Sequence, residues 1–131
     1  MDLLPGYDEG DDVLEGGKRS RNQPAPPHVI FQALTDPDRD PTRPWLFLRH
    51  DEQRPRVLEQ QAPHLLVWSS LWPHRTDALV RFDLPYDSEG AGTDLCWTLL
   101  LEAPLPAPAL LGHLRKRLNE LINNDLRCSF G

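Results

Sequence analysis

The sequence predicts an α+β domain in which an antiparallel sheet of about five to six strands wraps around one long C-terminal helix, with a short helix near the N-terminus. Three observations carry this expectation. Ala107, Leu110, Leu111, Leu114, Leu118, Leu121, Ile122 and Leu126 recur at three-and-four spacing, which draws one apolar stripe down a helix over residues 107–126. The segments before it alternate apolar and polar residues and are rich in aromatics, the pattern of half-buried strands. The chain has 131 residues, the size of one domain, and can bury about two thirds of the surface its unfolded form exposes.

Charge narrows the function. Against 14 basic residues stand 20 acidic ones, a formal charge of −6, and much of the excess lies in Asp2, Asp8, Glu9, Asp11, Asp12 and Glu15. The remainder is near neutral and shows no basic stripe, so nucleic-acid and anionic-membrane partners are not expected. Residues 1–16 read as an acidic, disordered tail and residues 17–131 as a single domain. The start lacks the basic and apolar regions of a signal peptide, and no apolar window approaches membrane-spanning length, which predicts a cytoplasmic protein. Two cysteines, Cys96 and Cys128, are too few and too far apart for a metal knuckle or a disulfide framework, so neither a metal nor a cofactor is expected.

In chain order, a weakly alternating strand is expected over residues 18–23, and Gly16 and Gly17 interrupt any period before it. Pro24, Pro26 and Pro27 then open a short helix with Val29, Ile30, Ala33 and Leu34 on one face; Asp36-Pro37 ends it. Trp45-Leu46-Phe47-Leu48 reads as a strand, followed by strands over residues 56–61, 64–72, 77–85 and 93–103. In the 64–72 segment Leu66, Trp68, Ser70 and Trp72 share one face; Ala78, Val80, Phe82 and Leu84 point inward from the next strand, and Leu95, Trp97, Leu99 and Leu101 from the last. The exposed face of the final helix carries His113, Arg115, Lys116, Asn119 and Glu120. Gly112, inside that helix, is either merely tolerated or marks a close backbone approach.

Ile30-Phe31-Gln32-Ala33-Leu34-Thr35-Asp36-Pro37, followed at a distance by Trp45, resembles the first-helix motif of the START-like, or SRPBCC, superfamily, and most of all its branch related to the activator of the heat-shock chaperone ATPase. Val57-Leu58-Glu59, Pro63 and Leu66-Val67-Trp68 through Trp72 resemble the strand pair that follows, Gly92-Thr93-Asp94-Leu95 the turn opening the last strand, and residues 110–126 the C-terminal helix. The resemblance implies a helix-grip fold, a curved antiparallel sheet around a long C-terminal helix with an apolar cavity between them. It also implies ligands such as lipids, polyketides or aromatic compounds. The short stretch between Trp45 and Arg56 and the weak first strand depart from the pattern and imply a smaller sheet and cavity.

Candidate ligand-binding residues follow from the inward set: Trp45, Leu66, Trp68, Ser70, Trp72, Phe82, Trp97, Leu99, Leu114 and Leu118. Large aromatics facing a helix are more often plain core, and spacing does not settle whether the volume is filled. His28, His50, His64, His74 and His113 fall at expected loops or exposed faces, and none has a partner at catalytic spacing. The leading expectation is a binder of a hydrophobic small molecule. A polyketide cyclase or dehydrase is the alternative implied by the resemblance alone, and a chaperone adaptor or other interaction module, using the acidic tail to hold a protein partner, is the third.

Overall fold

The alternating segments pair into a five-stranded antiparallel sheet in a computed structural model that describes residues 13–130. The strands are β1 (Val13–Gln23), β2 (Val57–Gln61), β3 (Leu65–Trp68), β4 (Leu79–Asp83) and β5 (Thr93–Glu102), in the spatial order β1-β5-β4-β3-β2. Helix α1 (Pro27–Thr35) lies between β1 and β2 in the chain, and α2 (Pro108–Leu118) runs directly into a π-helical segment, Asn119–Leu126. Among the described residues, no helix is long and apolar enough to cross a membrane.

Register explains why the large side chains gather. Leu66 pairs with Phe82 and Phe82 with Trp97; Trp68 pairs with Val80 and Val80 with Leu99. Paired residues on antiparallel strands project to the same face, so these two rows lie side by side. All six side chains are at most 1 % exposed and join Leu114, Leu118, Leu121, Ile122 and Leu126 in one core. Trp68 also donates its indole N–H to the carbonyl of Leu34 at 2.9 Å, satisfying one of the carbonyls that the end of α1 leaves open.

The first strand is longer than alternation suggested. β1 takes in Val13, Leu14, Glu15 and Gly16, which the sequence assigns to the tail; residues 1–12 of that tail lie outside the described residues. Alternation is a poor guide here because glycines replace side chains where the helix presses on the sheet. A Cβ on Gly16 would come within 2.5 Å of Leu101 Cδ1 and 3.0 Å of Leu111 Cδ1, and one on Gly17 would overlap the Arg115 side chain. A bulge between Glu15 and Gly17 accompanies this approach. Gly112 is not such a point, because a Cβ there meets nothing within 4 Å.

Residues 45–48 form no strand, which corrects the expectation. A strand would put Trp45 and Phe47 on one face, yet Trp45 is 2 % exposed and Phe47 58 %. The backbone here bonds elsewhere: Phe47 N–H donates to Trp45 O at 3.0 Å, and Phe47 O accepts from the Arg117 guanidinium at 2.6 Å. The sheet therefore ends at β2. The final helix also departs in detail. Its stripe is buried from Leu114 onward, but Leu110 is exposed and Leu111 half-buried. Arg117, three residues on from Leu114 in α2, is buried; within the wider π turn Asn123 is buried and Asn119, expected on the exposed face, is half-buried.

The Gly-Thr turn before β5 has a specific structural task. Thr93 Oγ1 donates to Ala25 O at 2.8 Å, tying β5 to the linker that leads into α1. Gly92 is buried there, and a Cβ would stand 2.5 Å from Gln23 O and 2.6 Å from Asp87 Oδ2. Gly92→Ala is therefore expected to destabilise the fold by about 1–3 kcal/mol, since a backbone oxygen has to give way. Gly112→Ala, in open space on a helix, is expected to stabilise it by up to about 1 kcal/mol. Urea denaturation of both variants checks the pair, and equal effects would contradict it.

Candidate functional site

The residues expected to line a cavity fall into two groups. Leu66, Trp68, Trp72, Phe82, Trp97, Leu99, Leu114 and Leu118 are at most 4 % exposed and packed into the continuous core. Trp97 touches the C-terminal helix directly, its indole N–H donating to Asn119 Oδ1 at 3.2 Å. Ser70, expected to orient a ligand, is committed to a local turn: its hydroxyl donates to Arg75 O at 2.7 Å and accepts from Trp72 N–H at 3.0 Å. Trp45 differs from the rest because it belongs both to the core and to a surface groove.

That groove has a volume of about 340 Å³, within the range of small-molecule sites. Its walls come from three places. Pro24, Ala25 and Pro26 belong to the β1–α1 linker and Val29 and Ala33 to α1; Pro37, Arg39, Asp40 and Arg43, which supply the charged rim, follow α1; Ser129 and Phe130 come from the C-terminal end of the described chain. The floor is Trp45. Its ring stacks on Trp68 at 6.1 Å with an interplanar angle of 13°, and Trp68 meets Phe82 edge-on at 4.8 Å. An aromatic column thus leads from the groove into the centre of the core. The indole N–H of Trp45 is buried and has no acceptor among the described residues; the same holds for Trp72.

A buried ion pair holds this floor in place. Arg117 and Glu52 side chains are 4 % and 1 % exposed, and two hydrogen bonds at 2.6 and 2.9 Å join them. Glu52 also accepts from the Arg49 N–H at 2.9 Å. The Glu52 hydrogen bond raises the Arg117 guanidinium above its ordinary pKa, against the opposing effect of burial. The pair was not visible in the sequence, because Arg117 reads as one of several basic residues on the helix and Glu52 lies 65 residues away in an irregular loop. Polar side chains also meet at the π segment. Asn119 Oδ1 accepts from Asn123 Nδ2 at 3.0 Å as well as from Trp97, and Gln23 Nε2 donates to Ile122 O at 3.3 Å.

On the rim, Asp40 accepts from Thr42 Oγ1 at 2.6 Å and Thr42 N–H at 3.0 Å, and the hydroxyl contact first of all lowers its pKa. Arg43 donates to Ser129 O at 3.2 Å. The Arg39 side chain has no hydrogen-bond partner among the described residues. The histidines lie outside the groove lining, and His64 Nδ1 is 2.8 Å from Leu84 O. Cys96 is half-buried and Cys128 exposed, both free. Among the described residues, no three His, Cys, Asp or Glu side chains form a group suited to a metal ion.

Comparison with known proteins identifies the fold. No family model and no curated protein matches the chain. Among solved structures, CalU16 from Micromonospora echinospora superposes with a TM-score of 0.61 at 16% identity, covering 86% of this chain and 80% of its own. The Aha1 dimer from Colwellia psychrerythraea gives 0.59 at 13% identity, covering 84% and 91%. The chain has a START/SRPBCC-like fold, as its motifs suggested.

Two outcomes follow from these contacts. Arg117→Met leaves Glu52 buried without its partner and is expected to cost about 3–5 kcal/mol in chemical denaturation, whereas Arg117→Met with Glu52→Leu costs clearly less. The second concerns Asp77, whose carboxylate accepts from Arg75 at 2.8 Å and from Glu102 N–H at 3.0 Å. Burial pushes this carboxyl up, but those bonds outweigh it and set its pKa below the ordinary 3.8. A depressed folded pKa adds stability above the unfolded value and loses it as pH falls through the folded one. Asp77→Asn should therefore lower the urea midpoint at neutral pH, with a smaller difference at about pH 3.

Proposed function

We propose that this protein binds a hydrophobic small molecule, taken up in the groove over Trp45. The observation that carries the reading is the aromatic column: a groove of about 340 Å³ is floored by an indole that stacks directly onto the core aromatics. Proline, valine and alanine side chains offer apolar walls, and a few polar groups at the rim can fix orientation, the usual composition of such sites. Trp68 stacks behind the floor and Phe82 behind Trp68, and Leu66, Trp72, Trp97, Leu99, Leu114 and Leu118 belong to the same core. Asp40 is the one carboxylate among the groove residues, and it is bonded to Thr42, which favours binding over acid–base catalysis.

Titration with fatty acids, flavonoids and polyketide mimics is expected to change tryptophan fluorescence saturably. Val29→Gln, at a half-buried wall, is expected to weaken binding about tenfold while leaving the melting curve close to that of the parent. Trp45→Phe keeps an aromatic floor and should retain binding by calorimetry while losing most of the fluorescence response. A flat calorimetric response across the panel would remove the reading.

A further inference from the structure

We infer that the ligand of this groove is an organic acid, an apolar aryl or acyl body carrying a carboxylate, and that Arg39 and Arg43 receive its charged end. The inference rests on the groove being the binding site, and adds the chemical class of what it takes. Two observations support it. The rim carries two guanidiniums against one carboxylate, and that carboxylate, Asp40, is already met by the Thr42 hydroxyl and N–H at 2.6 and 3.0 Å. The neighbouring Asp38 pairs with Arg54 at 2.8 Å. Among the groove-lining residues the guanidiniums therefore outnumber the carboxylate by one, in a chain whose formal charge is −6.

The two arginines are also differently committed. Arg43 holds the end of the groove through one bond to Ser129 O at 3.2 Å, which leaves most of its donors available. Arg39 has no side-chain partner among the described residues. A guanidinium fork matches a carboxylate with two parallel hydrogen bonds, a geometry that a neutral amide or alcohol does not reproduce. The apolar walls take the rest of the molecule, so acid group and apolar body are both required.

The test compares each acid with its own primary amide, decanoic acid with decanamide and 2-naphthoic acid with 2-naphthamide, by calorimetry at neutral pH and low salt. The acids are expected to bind about tenfold more tightly than the amides, with the gap narrowing as salt rises. In Arg39→Gln/Arg43→Gln the gap is expected to fall below about twofold. Arg39→Gln alone, which breaks no described contact, should already close part of it. Equal binding of acid and amide by the parent protein would overturn the inference and leave the groove reading standing. A preference that survives loss of both arginines would also overturn it. No binding of either member of both pairs would remove the groove reading and this inference with it.

Discussion

Burying a guanidinium and a carboxylate together leaves the surrounding chain little freedom, because both ions must find their hydrogen-bonding partners inside the fold. Arg117 and Glu52 meet that demand with each other, with Phe47 O and with Arg49 N–H. Each of these contacts fixes a point of the loop over residues 45–56. The loop cannot then lie beside β2 as another strand, since its carbonyl at Phe47 is turned toward the helix. Trp45, at the start of the same loop, is delivered onto Trp68. The groove floor is in this sense a consequence of an ion pair on the far helix.

The opposite edge of the sheet follows a different rule. There space is made by removing side chains: Gly16 leaves room for Leu101 of the neighbouring strand and Leu111 of the helix, and Gly17 for Arg115 of the helix. At the buried Gly16 a close-packed interior resists an added methyl, whereas at Gly17 the neighbour is the flexible stem of the exposed Arg115. Together the glycine contact at β1 and the ion pair beyond β2 hold the C-terminal helix against both sides of the sheet. The aromatic and leucine side chains between them are compressed into a core.

This arrangement leaves the aromatic interior filled and brings one of its side chains, Trp45, to a surface groove. In the helix-grip plan suggested by the motifs, a ligand lies between sheet and helix. Here Trp97 reaches the helix through Asn119, and the rows Leu66–Phe82–Trp97 and Trp68–Val80–Leu99 are at most 1 % exposed. The aromatic character of that interior is carried outward by Trp45, where apolar walls and a charged rim coincide. A fold likeness at 16% identity says nothing of the ligand, so its chemistry is argued from those side chains alone.

What the sequence determined by itself was the part written in periodicity: the strands β2 to β5, the short α1 between its prolines and Asp36-Pro37, the apolar stripe from Leu114 to Leu126, and the inward sets of Trp68, Phe82 and Trp97. These depend on which face a residue occupies, and side-chain alternation or helical pitch encodes that locally. The Gly-Thr turn was also readable as a motif, although its reason, a bond to Ala25 and a backbone contact with Gln23, was not. Tertiary structure alone decided the rest. The extent of β1 depended on glycines whose use appears only when a helix lies over them. The loss of the expected strand at Trp45 depended on Arg117, 70 residues away in sequence from the carbonyl it binds. That the expected lining residues pack into the core depended on whether volume between elements is filled, and filling is a property of three-dimensional packing that no spacing along the chain records.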